Sequence, residues 1–261
     1  MVAREAHNLK VGGSSPPPTM PYGVTDLTFN NSEMGKTKDI TINNDGTCTF
    51  TFKDDVCSKD GVIDPGANQI EGLKIDGKGR ASLLLSQHFF PRLRGVPTHF
   101  RSANVEEGTM ECTHLNMLPI EFIWRSRAWG SFCKAYGVEQ GLSLMCEAVG
   151  FVEATLKDDA LGDPRISRPA LNALGKLTLA QYDECALLTR ITGIILQSKL
   201  EEYGLELIDF KVEFGLDRDG QIVLADEISG DIWRVLDKDG QPMSPVECAK
   251  RICPECYSIS C

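Results

Sequence analysis

The sequence lacks three features that would place the protein in a membrane, outside the cell or on a nucleic acid. No run of about 18 apolar residues occurs, so no transmembrane helix is expected. The N-terminus has no apolar core segment of the kind that secretory signals carry. Positive charge is in deficit, with 27 Lys and Arg against 37 Asp and Glu and a net charge of −10, which argues against a nucleic-acid-binding surface. We therefore expect a soluble, cytoplasmic protein that binds neither membranes nor nucleic acids.

The composition that remains is that of an ordinary globular protein. Hydrophobic residues make up 42% of the 261 residues and charged residues 25%, which allows one large domain or two small ones. The acidic balance still permits anionic small ligands, because a local group of Lys and Arg can dominate the field inside a cleft.

Cysteine is abundant, and its placement differs between the body and the end of the chain. Six cysteines stand singly and are expected to be reduced thiols: Cys48, Cys57, Cys112, Cys133, Cys146 and Cys185. The other four lie near the C-terminus: Cys248, Cys253, Cys256 and Cys261. Four thiolates could hold one zinc ion, but this short segment has no second knuckle around which to build a site. We favour a loose thiol-bearing tail over a zinc site.

Residues 207–234 carry the clearest pattern in the chain. Apolar side chains alternate with charged ones, so that Ile208, Phe210, Val212 and Phe214 share one strand face and Asp209, Lys211 and Glu213 share the other. An acidic turn and an apolar return strand follow, ending in Asp226 and Glu227. This predicts a β-hairpin, and a plain hairpin with a solvated charged face is one interpretation of it. The return strand, however, is too apolar to be half exposed to solvent. The converging carboxylates suit Mg²⁺, and Lys211 and Arg234 are available for anionic ligands.

Two further segments have features of phosphate sites. In the sequence Gly35-Lys36-Thr37-Lys38, the glycine permits close backbone approach and both lysines lie on one side of an extended chain. A strand is predicted near residues 117–125, with Arg125 at its end and Gly130-Ser131 opening the next element, an arrangement that can cradle a phosphate. Taken alone, the first segment is usually a turn with solvated lysines, whereas the second has the features of a phosphate cradle.

The remaining patterns indicate structural elements. We predict a strand at Thr47–Phe52, a helix from Lys78 to near residue 94, and a long helix at residues 177–203 that begins with a Thr178–Gln181 capping box. A short helix capped at Ser244 should follow the hairpin, and residues 1–26 look like a linker. The Gly77-Lys78-Gly79 turn could hold a carboxylate or phosphate on its backbone N–H groups. His99 beside an aromatic residue is expected to be structural.

Together these segments resemble SAICAR synthetases, from about residue 35 to residue 237. The resemblance is carried by the segments from Asp209 to Gly215, from Ala225 to Asp231 and at Arg234, by Gly35-Lys36-Thr37-Lys38, and by the segments around Arg125 and Lys157. It implies an α+β, ATP-grasp-like fold of two lobes with antiparallel sheets and ATP in the cleft between them. The nucleotide-binding lobe would span residues 27–117 and the substrate- and Mg²⁺-binding lobe residues 118–247, between an N-terminal tail (1–26) and a Cys-rich tail (248–261).

The resemblance also implies a reaction: ATP, CAIR and L-aspartate would give SAICAR, ADP and phosphate through an acyl phosphate, in purine biosynthesis. Glu213 and Asp226 would bind Mg²⁺, while Gly35, Lys36 and Lys38 would bind ATP. Arg125, Ser131 and Arg234 would hold the phosphate of CAIR, with Asp54 and Lys157 also on the substrates, and Lys211, Asp209 and Asp231 would serve catalysis. The expected partners are these small molecules, and the sequence leaves the oligomeric state open, a homo-oligomer included.

Three residues depart from the family pattern. Cys57 stands where a threonine is usual, and Trp124 and Trp129 replace smaller residues, so that the pocket shape is expected to differ. Two other functions remain open at this stage: a small-molecule kinase that uses the same ATP and Mg²⁺ residues, and a nucleotide-binding homologue without turnover.

Overall fold

A computed structural model describes residues 32–56, 58–59, 62–63, 72–144 and 149–257. The expected N-terminal tail, Cys57 and Cys261 lie outside the described residues. Twelve strands are described: β1 (Ser32–Met34), β2 (Lys38–Ile42), β3 (Thr47–Phe52), β4 (Ser58–Lys59), β5 (Val62–Ile63), β6 (Phe100–Asn104), β7 (Thr109–Thr113), β8 (Asn116–Arg125), β9 (Phe151–Leu156), β10 (Leu205–Leu216), β11 (Ile222–Leu224) and β12 (Trp233–Asp237). The described α-helices are α1 (Lys78–Phe89), α2 (Ser131–Tyr136), α3 (Arg168–Ala173), α4 (Leu179–Glu201), α5 (Pro245–Ile252) and α6 (Pro254–Tyr257), with 3-10 turns at Phe90–Arg92 and Asp159–Leu161.

Two antiparallel sheets form the framework. The first has the strand order β1-β2-β3-β7-β6, and the second has the order β11-β10-β8-β9, with β12 also pairing with β10. Hydrogen bonds of the His99 backbone N–H to the Leu224 carbonyl and of the Leu224 N–H to the Pro97 carbonyl join the two sheets. The predicted division at residue 117 falls within the first two residues of β8, where the chain passes from the first sheet to the second.

The hairpin predicted from residues 207–234 is confirmed as β10 and β11, which pair from Phe214 opposite Leu224 to Leu216 opposite Ile222. The apolar face of β10 is buried in the core, as the alternation requires. Its charged face is not solvated, since Asp209 and Glu213 are also buried. Strand β10 is central in its sheet, and Lys211 and Glu213 of its charged face line a cleft between the two sheets.

The predicted helices are confirmed with small changes at their ends. Helix α1 begins at Lys78 and continues into the 3-10 turn at Phe90–Arg92. Helix α4 begins after the predicted capping box of Thr178 and Gln181, and it packs against β10, β8 and β9. Among the described residues, no helix is both long enough and apolar enough to cross a bilayer.

The prediction of a loose thiol-bearing tail is wrong for the part of the C-terminal segment that is described. Helix α5 starts with a Ser244–Glu247 capping box and packs against α1, with Cys248 fully buried. Cys248 and Ala249 lie four and three residues before Ile252, so the three side chains share one apolar helix face, which joins the core. Burial therefore raises the pKa of the Cys248 thiol to about 12. The described part of this segment begins with an ordinary amphipathic helix, which the cysteine spacing alone did not indicate.

Candidate active site

A cleft of about 1150 Å³ lies between the two sheets. Its lining includes eight residues predicted from the sequence: Gly35, Lys36, Lys38, Lys157, Lys211, Glu213, Asp226 and Asp231. They come from the loop before β2 and its first residue, from the residue after β9, from β10, and from the segment between β11 and β12. The cleft thus brings together segments that are as much as 196 residues apart, from Gly35 to Asp231.

Two carboxylates face each other in this cleft. Glu213 projects from β10 and Asp226 follows β11, and both are largely buried. Burial and then the charge of Asp226 raise the pKa of Glu213. Burial would also raise the pKa of Asp226, but Lys38 and then Lys157 hold it below its usual value. The two carboxylates are buried in the cleft and repel each other, so a cation between them would be stabilised. Mg²⁺ suits such a site, because it binds few protein carboxylates and takes phosphate oxygens as its other ligands.

The backbone of Asp226 is in the left-handed region, with φ at +66°. Few residues other than glycine adopt this conformation, Asn and Asp being the usual exceptions, and it is found preferentially at functional sites. His99 supports it, since its Nε2 lies 2.8 Å from the Asp226 carbonyl oxygen. His99 is buried against the rings of Phe50 and Phe90, and this packing agrees with the structural role predicted for it.

Each of the four lysines in the cleft is paired with a carboxylate. Lys38 Nζ lies 2.6 Å from Asp226 and 2.7 Å from Glu227, and Lys157 Nζ lies 2.6 Å from Glu213. The other two pairs are Lys211 with Glu121, at 2.5 Å, and Lys36 with Asp159, at 2.8 Å. Burial would lower the pKa of Lys38, of Lys157 and of Lys211, but the neighbouring carboxylates raise all three pKa values. The cleft therefore presents lysines that are held in the charged form.

Glu121 and Glu227 are two of the carboxylates in these pairs for which no role was predicted. Glu121 lies directly opposite Glu213 across β8 and β10 and accepts a hydrogen bond from Thr155, 3.2 Å away. Glu227 is almost fully buried and also accepts a hydrogen bond from Ser229. Both residues belong to segments that resemble the family. Their partners, however, are determined by strand register and by the packing of one sheet on the other.

A second polar cluster lies around Asp209, where three strands meet. The Asp209 carboxylate pairs with Arg125 on one side and with Arg234, 2.7 Å away, on the other. Arg125 is buried and also contacts Glu153 at 3.0 Å. Arg165 pairs with the same Glu153 and donates a hydrogen bond to Ser131 Oγ at 3.4 Å. Arg125, Ser131 and Arg234 are therefore brought together as predicted. Glu153 and Arg165, for which no role was predicted, complete the cluster.

Asp54 lies apart from the lining of the cleft. Its carboxylate accepts hydrogen bonds from the backbone N–H groups of Gly79, at 2.8 Å, and Gly77, at 3.3 Å. The anion expected at the Gly77-Lys78-Gly79 turn is thus a side chain of the protein itself, which caps α1. A role of Asp54 in substrate binding stays a prediction.

The expectation that Trp124 reshapes the pocket is wrong. Trp124 belongs to β8 and is fully buried; it stacks on Phe210 of the neighbouring strand β10 and donates a hydrogen bond from Nε1 to the Val149 carbonyl at 2.8 Å. Its indole lies against Gly150 and Gly193, where a Cβ atom would approach the ring to 2.2 Å and 2.7 Å, respectively. The large ring is accommodated in the core by these two glycines, and Trp124 is not among the residues that line the cleft.

Comparison with known proteins agrees with this geometry. The SAICAR synthetase family profile matches residues 31–250. The chain belongs to the SAICAR synthetase family. Its relatives in this family include phosphoribosylaminoimidazole-succinocarboxamide synthase of Clostridium tetani, which is 44% identical over 223 residues that cover 84% of this chain and 96% of that protein. The enzyme of the same name from Methanocaldococcus jannaschii is 32% identical over 207 residues, covering 78% of this chain and 81% of its own length.

Solved structures of the family have the same fold. A protein described as SAICAR synthetase (Type-2) in complex with ADP superposes with a TM-score of 0.76 at 28% identity, covering 86% of this chain and 98% of that one. A type-1 SAICAR synthetase structure from Pyrococcus horikoshii gives a TM-score of 0.71 at 28% identity, over 82% and 96% of the two chains. The predicted α+β fold with antiparallel sheets is confirmed.

Proposed function

We propose that this protein is an ATP-dependent carbon–nitrogen ligase that joins CAIR and L-aspartate to form SAICAR, releasing ADP and phosphate. The observation that carries the proposal is the cleft in which Glu213 and Asp226 meet four lysines, in a chain whose relatives bear the name of this synthase. A family member solved with ADP supports a nucleotide as one ligand of the cleft. The arrangement suits a reaction that needs charge neutralisation and positioning more than a protein nucleophile.

The chemistry explains why ATP is consumed. A carboxylate is a poor electrophile at neutral pH, because its charge repels an attacking amine. Transfer of the γ-phosphoryl group to a CAIR carboxylate oxygen yields an acyl phosphate. The amine of aspartate then attacks the carbonyl carbon, loses a proton, and displaces phosphate. This sequence forms one C–N bond, and the oxygen removed from the carboxylate leaves with the phosphate.

The lysines of the cleft are suited to hold the phosphate oxygens. Lys36 lies in the loop that leads into β2 and Lys38 is the first residue of that strand, and Lys157 and Lys211 face them from the second sheet. Fixed positive charge opposite phosphate oxygens stabilises phosphoryl transfer, since negative charge accumulates there. Bound between Glu213 and Asp226, Mg²⁺ would supply further neutralisation of the same oxygens.

The cluster around Asp209 is suited to hold the phosphate of CAIR. Arg234 and Arg165 are partly exposed and can each turn N–H donors toward a phosphate, with the Ser131 hydroxyl beside them. Arg125 is buried between Asp209 and Glu153, so its role is to orient those two carboxylates and, through them, Arg234 and Arg165. Asp209 would thereby position the substrate and take no part in proton transfer.

The decisive experiment follows ADP release by purified protein with ATP, Mg²⁺ and CAIR, in the presence and absence of L-aspartate. We expect ADP release that depends on both CAIR and aspartate, with SAICAR as the product. Release that is indifferent to aspartate would instead indicate a kinase or an idle ATPase. Retained nucleotide binding without turnover would indicate a homologue that binds but does not catalyse.

A further inference from the structure

A buried lysine lies beneath the cleft and has no part in the reaction proposed above. Lys78 is the first residue of α1, and its side chain is fully buried. Its Nζ lies 2.7 Å from Oδ2 of Asp231, whose side chain is 8% exposed and lines the cleft. An ammonium group is costly to bury unless it is paired, so the position of Lys78 depends on Asp231.

Among the described residues, the Asp231 carboxylate is held through one of its two oxygens. Ser82, one helical turn after Lys78 on the same face of α1, donates from Oγ to the same Oδ2 at 3.0 Å. The backbone N–H of Asp231 donates to Ser229 Oγ at 3.1 Å, which fixes the main chain at this point. Within the part of the chain that the structure describes, both donors to the carboxylate reach Oδ2 and none reaches Oδ1.

The start of α1 is itself held firmly. Asp54 caps it through Gly77 and Gly79, and Gly77 adopts a left-handed conformation with φ at +75°. A Cβ atom at Gly79 would come within 3.0 Å of the Phe52 backbone, so the helix start lies directly against the end of β3. The backbone of Lys78 therefore has little freedom, and its ammonium group is a fixed charge.

We propose that Lys78 is a positioning residue for Asp231. With Ser82 it fixes Oδ2 of the carboxylate and leaves Oδ1 to accept a hydrogen bond from a hydroxyl or ammonium group of a substrate in the cleft. This inference rests on the proposed function for the nature of the substrate, although the arrangement of the pair does not depend on it.

Charges around Asp231 give Lys78 a second effect. Burial and then the charge of Glu227 raise the pKa of Asp231 to about 6, while Lys78 and, more weakly, Lys38 oppose that rise. Loss of the Lys78 charge therefore raises the pKa of Asp231 further, and at neutral pH more of the carboxyl group becomes protonated. Lys78 thus keeps Asp231 ionised in the range where the enzyme would work.

The test compares Lys78→Met, Ser82→Ala and Asp231→Asn with the double variant Lys78→Met/Asp231→Asn. We expect Lys78→Met to lower kcat/KM at pH 7 by tenfold or more and to move the acid limb of its pH profile to higher pH. Ser82→Ala should move both quantities in the same direction by a smaller amount. If Lys78 acts through Asp231, Lys78→Met should cause no further loss in the Asp231→Asn background.

Carboxyl ¹³C NMR provides a readout that is independent of turnover. The Asp231 resonance, assigned by its loss in Asp231→Asn, should titrate near pH 6 in the wild type and at higher pH in Ser82→Ala. Gln87→Ala, on the same helix but absent from the cleft lining, serves as the control and should leave the Asp231 titration unchanged. This measurement remains decisive if Lys78→Met does not fold, because Ser82→Ala removes only a hydroxyl.

The two proposals fail in different ways. A wild-type protein that makes no SAICAR overturns the proposed function, and the NMR titration still decides whether Lys78 and Ser82 govern Asp231. A wild type that turns over, together with a folded Lys78→Met that keeps its kcat/KM and pH profile, overturns the positioning role. An Asp231 titration that is the same in the wild type and in Ser82→Ala overturns it as well.

Discussion

At the scale of single residues, Asp226 combines two demands that few residue types meet together. Its carboxylate faces Glu213 and Lys38 in the cleft, and its backbone lies in the left-handed region at φ +66°. Asn adopts a positive φ readily but has no charge, whereas Ala has no charge and is strained at a positive φ. Substitutions at this position can therefore separate function from folding.

We expect Asp226→Asn to lower SAICAR formation at least 100-fold while leaving the melting temperature within a few degrees, since Lys38 keeps Glu227 as a partner. Asp226→Ala should add a loss of about 1 kcal/mol in the free energy of unfolding, because Ala is strained at positive φ. Steady-state assays and urea unfolding measure the two effects.

Asp163→Asn is the matched control, since Asp163 also has a positive φ, at +47°, and lies outside the cleft lining. It should keep wild-type turnover. Equal losses in Asp226→Asn and Asp163→Asn would show that the charge of Asp226 has no special part in the reaction.

At the scale of elements, helix α4 contains a glycine at a position where helix propensity favours almost any other residue. Gly193 is buried in the middle of this 23-residue helix, against the indole of Trp124. Gly to Ala at an exposed helix position usually stabilises a protein by about 1 kcal/mol. Here the close approach of the ring reverses the sign of that effect.

We expect Gly193→Ala to destabilise the protein by about 1–3 kcal/mol, the usual cost of overpacking a core. The added methyl group would lie 2.7 Å from Trp124 ring atoms, and the ring is held in place by Phe210 and by the Val149 carbonyl. Urea unfolding of Gly193→Ala, of Ser198→Ala at an exposed position of the same helix, and of Gly193→Ala/Trp124→Phe measures the effect. A Gly193→Ala variant as stable as the wild type would contradict the close packing described for Trp124.

At the scale of the whole molecule, the two sheets share one core, and His99 lies where they meet. Its backbone N–H bonds to Leu224 of the second sheet, and its ring packs on Phe50 of the first. Burial lowers the pKa of His99 to about 4, against an ordinary value of 6.5. The folded protein therefore binds the His99 proton only at a lower pH than the unfolded chain does, and acid favours unfolding.

We expect His99 to make the free energy of unfolding fall by about 2 kcal/mol between pH 7 and pH 5, because the unfolded chain takes up a proton in that range and the folded protein does not. Asp231 acts in the opposite direction, since its pKa is raised, so the comparison must be between variants. His99→Gln keeps a donor for the Asp226 carbonyl but cannot titrate. Urea unfolding at both pH values should show a smaller acid-induced loss in His99→Gln than in the wild type, and equal losses would contradict the assignment.

Features of this molecule that depend on residues close together in the chain could be predicted from the sequence, and contacts between distant residues could not. Patterns that act over a few residues were predicted correctly: the alternation in β10, the capping boxes before α4 and α5, and the family segments that line the cleft. Contacts between distant segments were missed, among them Lys211 with Glu121, and Lys78 with Asp231. The burial of Trp124 and of Cys248 was missed for the same reason.

The sequence by itself determined the family, the α+β class, the order of the elements and most of the charged residues of the cleft, because periodicity, caps and motif spacing are local properties of the chain. Only the tertiary structure decided which charges meet. Strand register places Glu121 opposite Glu213, and the docking of α1 brings Lys78 to Asp231 across 153 residues. Asp54 likewise became the cap of α1 once the chain had folded back on it. These pairings depend on burial and on distances between segments far apart in the chain, which residue spacing alone does not encode.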